Sequence, residues 1–310
     1  MFRRCLATSL AALALTACSS TSSNSNNEIE APVGKCSPTT DNPTLGMAAI
    51  NLDYRVVLWN DPTSKTPVIL EQIGDDPFSE NSGADLTVVE TVAVSPTTCE
   101  VFIGACCEPV SGITFYDKEG DGAWETLIGR LPVISPDGEL LARVAYEELL
   151  ISSVANPEET KMTIELPKAD VATFHRAQWI NSDDVALSGF TNDGAYLWIV
   201  SLSTRSIREQ VLISDKIDGA AHGTSLVGLI GVDESGNLVT QNIGPEQQTV
   251  IEYRYPDSFA VSSTDSLSGF VRSYVMHGKR SAMVSDNGAF TTWFGNGDPQ
   301  TLEGQFVWAN

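Results

Sequence analysis

The densest chemistry in the chain lies in Asp117-Lys118-Glu119-Gly120-Asp121-Gly122-Ala123-Trp124-Glu125, where acidic groups fall at positions 1, 3, 5 and 9 and glycine at 6. A hard cation such as calcium takes roughly six to eight oxygens, and alternate residues of a tight turn can aim successive carboxylates at it while glycine permits the bend. Asp117, Glu119, Asp121 and Glu125 are therefore candidate calcium ligands. Position 12 is Ile128, which excludes an EF-hand. The plain alternative is an acidic hairpin between strands 113–116 and 124–128.

The cysteines are the second group. Cys36, Cys99, Cys106 and Cys107 form an even set suited to disulfides in an oxidising compartment. Cys99 and Cys106 flank an expected strand over 100–105, which separates them by about 23 Å, beyond bridging distance. Cys36 is left to pair with one end of that strand. Cys36–Cys99 beside a vicinal Cys106–Cys107 bridge is one arrangement, and a free buried pair is another. No histidine lies near them and their spacing matches no zinc pattern.

Catalytic patterns fail. His175, His222 and His277 form no His-Glu-x-x-His pair and read as loop or core residues. Gly223-Thr224-Ser225-Leu226-Val227-Gly228 is one residue too long for a nucleophile elbow. Ser285-Asp286-Asn287-Gly288 with Trp293 has the wrong offsets for the Asp box of sialidases, and no glycine-rich phosphate loop is present. These patterns supply no catalytic site, and they leave open whether the protein is an enzyme. Trp59, Trp124, Trp179, Trp198, Trp293 and Trp308 read as core aromatics, of which a few could line a ligand channel.

The elements that carry these residues begin with an address. Arg3 and Arg4 precede an apolar run, Leu6 to Leu15, that is short for a membrane span. It ends in Leu15-Thr16-Ala17-Cys18, which resembles the lipobox of bacterial lipoproteins. That resemblance implies a signal peptide over 1–17 and lipidation of Cys18, whose acyl chains would hold the protein to a membrane. Ser19 in place of aspartate implies, by the enteric sorting rule, the outer membrane rather than the inner. Residues 18–43 read as the lipidated cysteine and a flexible tether, because 19–30 are polar and nearly devoid of core-forming side chains.

Among 310 residues, 40 are acidic and 18 basic. Loss of Arg3 and Arg4 with the signal would leave a mature charge of −24. Such a balance argues against nucleic acid as a partner, which demands a basic surface. It favours a basic or cation-bridged partner.

From residue 44 to 310, short runs rich in Val, Ile, Leu, Phe, Tyr and Trp alternate with Gly, Asp, Asn, Pro and Ser turns, an all-β pattern. A weak repeat runs through them. Val94-Ser95-Pro96, Ile134-Ser135-Pro136-Asp137-Gly138, Ile180-Asn181-Ser182-Asp183 and Val232-Asp233-Glu234-Ser235-Gly236 each precede a strand, with serines 40, 47 and 53 residues apart. That spacing is close to one propeller blade. Ser-Pro-Asp-Gly followed by an apolar strand resembles the WD40-like repeats of TolB-type β-propellers, with the full motif only at Ser135.

The ends agree with a ring. Gln305-Phe306-Val307-Trp308-Ala309-Asn310 reads as the opening strand of a blade, and residues 45–59 as the second and third strands of a blade lacking its first. The expected fold is an all-β, six-bladed β-propeller over 44–310, closed by pairing of the C-terminal strand with the N-terminal blade. Its blades are expected at 305–310 with 44–72, 86–129, 130–168, 172–214, 225–262 and 268–304. Seven blades would result if a degenerate one lay within 201–230, and a pair of β-sandwiches is the alternative architecture. The resemblance to TolB-type propellers implies an envelope lipoprotein that binds or scaffolds a periplasmic protein or peptide. The calcium run likewise resembles the acidic loops of calcium-binding propellers. Two other classes fit the same pattern: a propeller hydrolase or lyase, and a glycan-binding sensor or adhesin.

Overall fold

The computed structural model describes residues 28–29, 33–34, 36, 47–51, 56–59, 68–70, 89–105, 112–117, 124–168, 173–215, 227–243, 249–267, 271–278, 280–285, 288–294, 298–302 and 306–309. Among them the regular structure is entirely β. The first strands are β1 (Glu28–Ile29), β2 (Val33–Gly34), β3 (Met47–Asn51), β4 (Val56–Trp59) and β5 (Val68–Leu70). Three meanders follow: β6 (Val89–Val94), β7 (Val101–Ala105), β8 (Ile113–Asp117) and β9 (Trp124–Ile128); β10 (Arg130–Ile134), β11 (Leu140–Ala145), β12 (Glu148–Ser153) and β13 (Asn156–Glu165); β14 (Thr173–Trp179), β15 (Asp184–Thr191), β16 (Gly194–Ser201) and β17 (Ser206–Ser214). The chain continues through β18 (Gly228–Asp233), β19 (Leu238–Ile243), β20 (Thr249–Arg254) and β21 (Val261–Leu267). It ends with β22 (Val271–Gly278), β23 (Arg280–Ser285), β24 (Phe290–Phe294), β25 (Gln300–Leu302) and β26 (Phe306–Ala309). The fifth group runs to Leu267, five residues past its expected end.

Position within a meander explains composition. The second strand β7 (Val101–Ala105) is buried at every residue, so it reads as an unbroken apolar run. Fourth strands such as β17, Ser-Ile-Arg-Glu-Gln-Val-Leu-Ile-Ser, are mostly open to water and polar. Apolar clusters fill the spaces between successive groups. Ile50 and Leu58 meet Val92 and Ile103; Phe102 and Tyr116 meet Leu141; Leu149 and Ile151 meet Phe174 and Trp198. Leu197 and Ile199 meet Leu229 and Leu238, Val239 and Ile251 meet Tyr274 and Met276, and Val284 and Phe290 meet Met47 and Val57. These clusters withdraw the inner part of the sheets from water, with each fully buried Val, Leu, Ile or Phe contributing about 1.5–3 kcal/mol.

The first strand of each group is its inner one. β6 packs beside β10, β10 beside β14, β14 beside β18, β18 beside β22, and β26 beside both β22 and β6. β26 is hydrogen-bonded antiparallel to β3, with Phe306 opposite Asn51 and Trp308 opposite Ile50. Every inner strand slips register against its second strand, whereas the second and third strands pair without interruption in all six groups. Bulges increase local twist, which lets sheets crowded at their inner edges splay outward.

The turns after the inner strands are held by one side-chain device. The Oγ of Ser135 accepts from the Leu140 amide at 2.9 Å, and that of Ser95 from Thr98 at 3.1 Å. In the next two turns the anchoring oxygen is not the serine picked out by the repeat. Asn181 Oδ1 accepts from Asp183 and Asp184, and Asp233 Oδ1 from Ser235 and Asn237. Asn and Asp can perform the same capping of turn amides as serine, so the motif degrades in sequence while the bond persists.

The expected tether is structured in part. β1 adds parallel to β25 and β2 parallel to β5, and Cys36 is joined to Cys99 by a disulfide. Two-residue strands need no apolar face, only an open sheet edge, and so leave no mark on the hydrophobic pattern.

Candidate functional site

In the acidic hairpin, β8 and β9 pair with Asp117 opposite Trp124 and Tyr116 opposite Glu125. Opposite residues share a face and successive residues alternate, so Asp117 and Glu125 project to opposite sides of the sheet. Asp117 is buried, on the side of Phe115 and Trp124, which pack toward β3 and β4. Glu125 lies on the other side, where it accepts from the Tyr116 hydroxyl, which also lies 2.8 Å from Glu158 of β13. Burial first, then the hydrogen bonds to Glu125 and Glu158, push the Tyr116 pKa well up, so this hydroxyl stays protonated. Glu125 therefore does not fit a calcium site centred on Asp117 while the strands stay paired. Glu119 and Asp121 lie outside the described residues, among which no group of three His, Cys, Asp or Glu is placed to hold a metal.

The other sequence candidates are dispersed. Cys99 sits in the turn between β6 and β7, its Cα 5.8 Å from that of Cys36. Cys18, Cys106, Cys107 and His222 lie outside the described residues, and His277 belongs to β22. Trp179 and Trp198 are buried, the first donating its indole N–H to the Val133 carbonyl at 3.1 Å, the second edge-on to Phe174. Trp124 and Trp293 are partly buried against apolar clusters.

A constellation absent from the sequence reading forms on the inner strands. Arg130, first residue of β10, donates to the Phe174 carbonyl of β14. His175 Nε2 donates to the Val227 carbonyl at 2.7 Å, with its ring stacked on Phe190 at 4.6 Å. Arg176, which is buried, donates to the carbonyls of Leu229 in β18 and Tyr274 in β22. This guanidinium thus ties β14 to two other inner strands, a reach possible only where those strands converge. His175 is the residue skipped by the register slip between Phe174 and Arg176. Burial, and then the charges of Arg176 and Arg130, lower its pKa to about 3, so the imidazole is neutral. Nε2 carries the proton and Nδ1, buried, has no hydrogen-bond partner among the described residues. Burial also lowers the Arg176 pKa to about 10. The signal that could have found this group is charge in the wrong place: His175 and Arg176 interrupt an apolar inner strand between Phe174 and Ala177.

No protein-family model matches the sequence, nor does any curated protein. Solved structures do. A chain in the crystal structure of a nidogen/laminin complex superposes with a TM-score of 0.54 at 7% identity, over 86% of this chain and 97% of that one. TolB from Acinetobacter baumannii gives 0.51 at 10% identity, over 85% of this chain and 66% of its own. A chain of the mitotic checkpoint complex gives 0.51 at 13%, over 99% and 92%. At such identities the likeness is one of fold alone, and that fold is the β-propeller.

Proposed function

We propose that the protein is a lipid-anchored, six-bladed propeller of the bacterial cell envelope that serves as a binding and scaffolding platform for an envelope protein or peptide. The observation that carries the reading is the placement of β26, hydrogen-bonded to β3 and packed beside both β22 and β6, which supports a ring fastened by its own two ends. With the inner strands committed to apolar clusters, loops, the polar outer strands and the inner opening are the surfaces left for recognition. The export signal and Cys18 supply the anchor, and Ser19 favours the outer membrane, with the ring on its periplasmic or outer side. Calcium in the 117–121 turn belongs to the same reading, with Asp117, Glu119 and Asp121 as its ligands, and divalent ions would then bridge an acidic platform to its partner.

Fractionation of cells expressing the full chain or Cys18→Ala tests the anchor. Wild type is expected in the membrane fraction and Cys18→Ala in the soluble one; identical partitioning would remove the anchor. Cross-linking of wild type in intact cells, with and without EDTA, tests the platform. A defined envelope partner is expected to be enriched in at least one condition, and no enrichment in either would overturn it.

A further inference from the structure

The N-terminal strands advance around the outer rim by a regular step. Glu28 of β1 stands opposite Thr301 of β25, and Val33 of β2, five residues on, stands opposite Ile69 of β5; both pairings are parallel. β25 and β5 are the outer strands of neighbouring groups, β22–β25 and β26 with β3–β5. The chain then reaches the next group, β6–β9, through the Cys36–Cys99 disulfide. Five extended residues span about 17 Å, and that length carries the segment from one outer strand to the next. Traced backward, the group before β22–β25 is β18–β21, whose inner strand pairs with β22. Its outer strand, β21, is one end of the nine-stranded sheet, with β1 at the other end, and residues 261–266 are all exposed. Outer strands are ordinarily guarded by charge or proline. β13 carries Pro157, Glu158, Glu159, Lys161 and Glu165, whereas the only charge in β21, Val-Ser-Ser-Thr-Asp-Ser-Leu, is Asp265.

We infer that residues 22–24 add to β21 as a further parallel strand, with Ser23 opposite Ser266 and Asn24 opposite Leu267, so that the N-terminal segment belts four successive groups. The register follows from the same five-residue step taken back from Glu28. It agrees with position in the sheet: Leu302 stands opposite Phe290 at the start of β24, as Leu267 stands opposite Thr249 at the start of β20. Strand addition is made by main-chain bonds, so the occupant needs free N–H groups rather than particular side chains. Residues 19–27 contain neither proline nor a charged side chain, so a chain with 40 acidic residues against 18 basic ones sets no like-charge repulsion against them. The docking itself does not need the lipid anchor. Its consequence for orientation rests on the anchored reading proposed above: Cys18 lies five residues before Ser23, about 17 Å of extended chain. The rim at β18–β21 would then face the membrane, and the rim at β6–β9, across the ring, would be presented away from it.

The test is amide hydrogen exchange on the full chain, beside a variant carrying Ser22→Pro, Ser23→Pro and Asn24→Pro, which removes three N–H donors and leaves the ring untouched. Amides within 261–267 should exchange about tenfold or more slowly in wild type than in the variant, while those of β13 exchange alike in both. Equally fast exchange of 261–267 in the two proteins would overturn the docking. Equal protection in the two would overturn it as well, since another strand would then cover β21. Ser23→Cys combined with Ser266→Cys gives an independent readout: a disulfide between positions 23 and 266 of one chain, mapped by mass spectrometry, is expected. Absence of that bridge, or a bridge formed only between two chains, would overturn the belt, the latter by assigning β21 to a second copy. Both measurements should come out the same in Cys18→Ala, whose partitioning reports on the anchor by itself, so that loss of the docking and loss of the anchor are told apart.

Discussion

His175 shows how a single residue couples charge to the fold. Its pKa is about 3 in the folded chain, against about 6.5 unfolded. The unfolded chain therefore takes up a proton between those values and the folded chain does not. Stability is full above pH 6.5 and is lost as pH falls toward 3, by a few kcal/mol at most for this group. His175→Gln keeps an amide N–H for the Val227 carbonyl and cannot titrate. Urea unfolding at pH 7.5 and pH 4.5 should show a steeper loss for wild type than for His175→Gln. Equal losses would mean that the imidazole is protonated freely in the fold.

At the scale of strands, the inner edges are the tightest part of the packing. β18 and β22 hydrogen-bond in parallel, with Gly231 opposite Met276, and so fuse two meanders into one nine-stranded sheet. A Cβ at Gly231 would collide with the Met276 backbone carbonyl. Backbone cannot move aside as a side chain can, and Gly231→Ala should cost at least the roughly 1–3 kcal/mol typical of overpacking. The urea midpoint measures it; an unchanged midpoint would show that the two strands are not in this register. Glycine within a strand is a signal of close approach, but the sequence does not say what approaches. Its partner lies forty-five residues on.

For the whole molecule, the N-terminal segment is a strap. It pairs with β25 in one group and with β5 in another, then bonds covalently to the turn after β6 through Cys36–Cys99. The bridge closes a sequence separation of 63 residues, for which loop-closure entropy gives about 4 kcal/mol at 25 °C. Cys36→Ser should lose stability of that order in urea without reductant. Dithiothreitol should lower wild type to the level of the variant and leave the variant unmoved. A wild type insensitive to reductant would mean the bridge does not form.

What could be read in the sequence was local. The apolar runs, the turn residues and the spacing near one blade came from periods of two and from Asp-Gly and Ser-Pro chemistry, which depend only on near neighbours in the chain. The acidic run at 117–125 was visible for the same reason. Its division between two faces was not, because parity across a hairpin depends on which residues pair, and the pairing of Asp117 with Trp124 is a property of the folded sheet. The cluster of Arg130, His175 and Arg176 lies further still from the sequence. Arg130 meets Phe174 across 44 residues and Arg176 meets Tyr274 across 98. Composition and turn chemistry determined that this chain makes short strands of a β-propeller; only the tertiary structure decided which charges meet at the inner strands, since such contacts follow from register slips and strand convergence that no local pattern encodes.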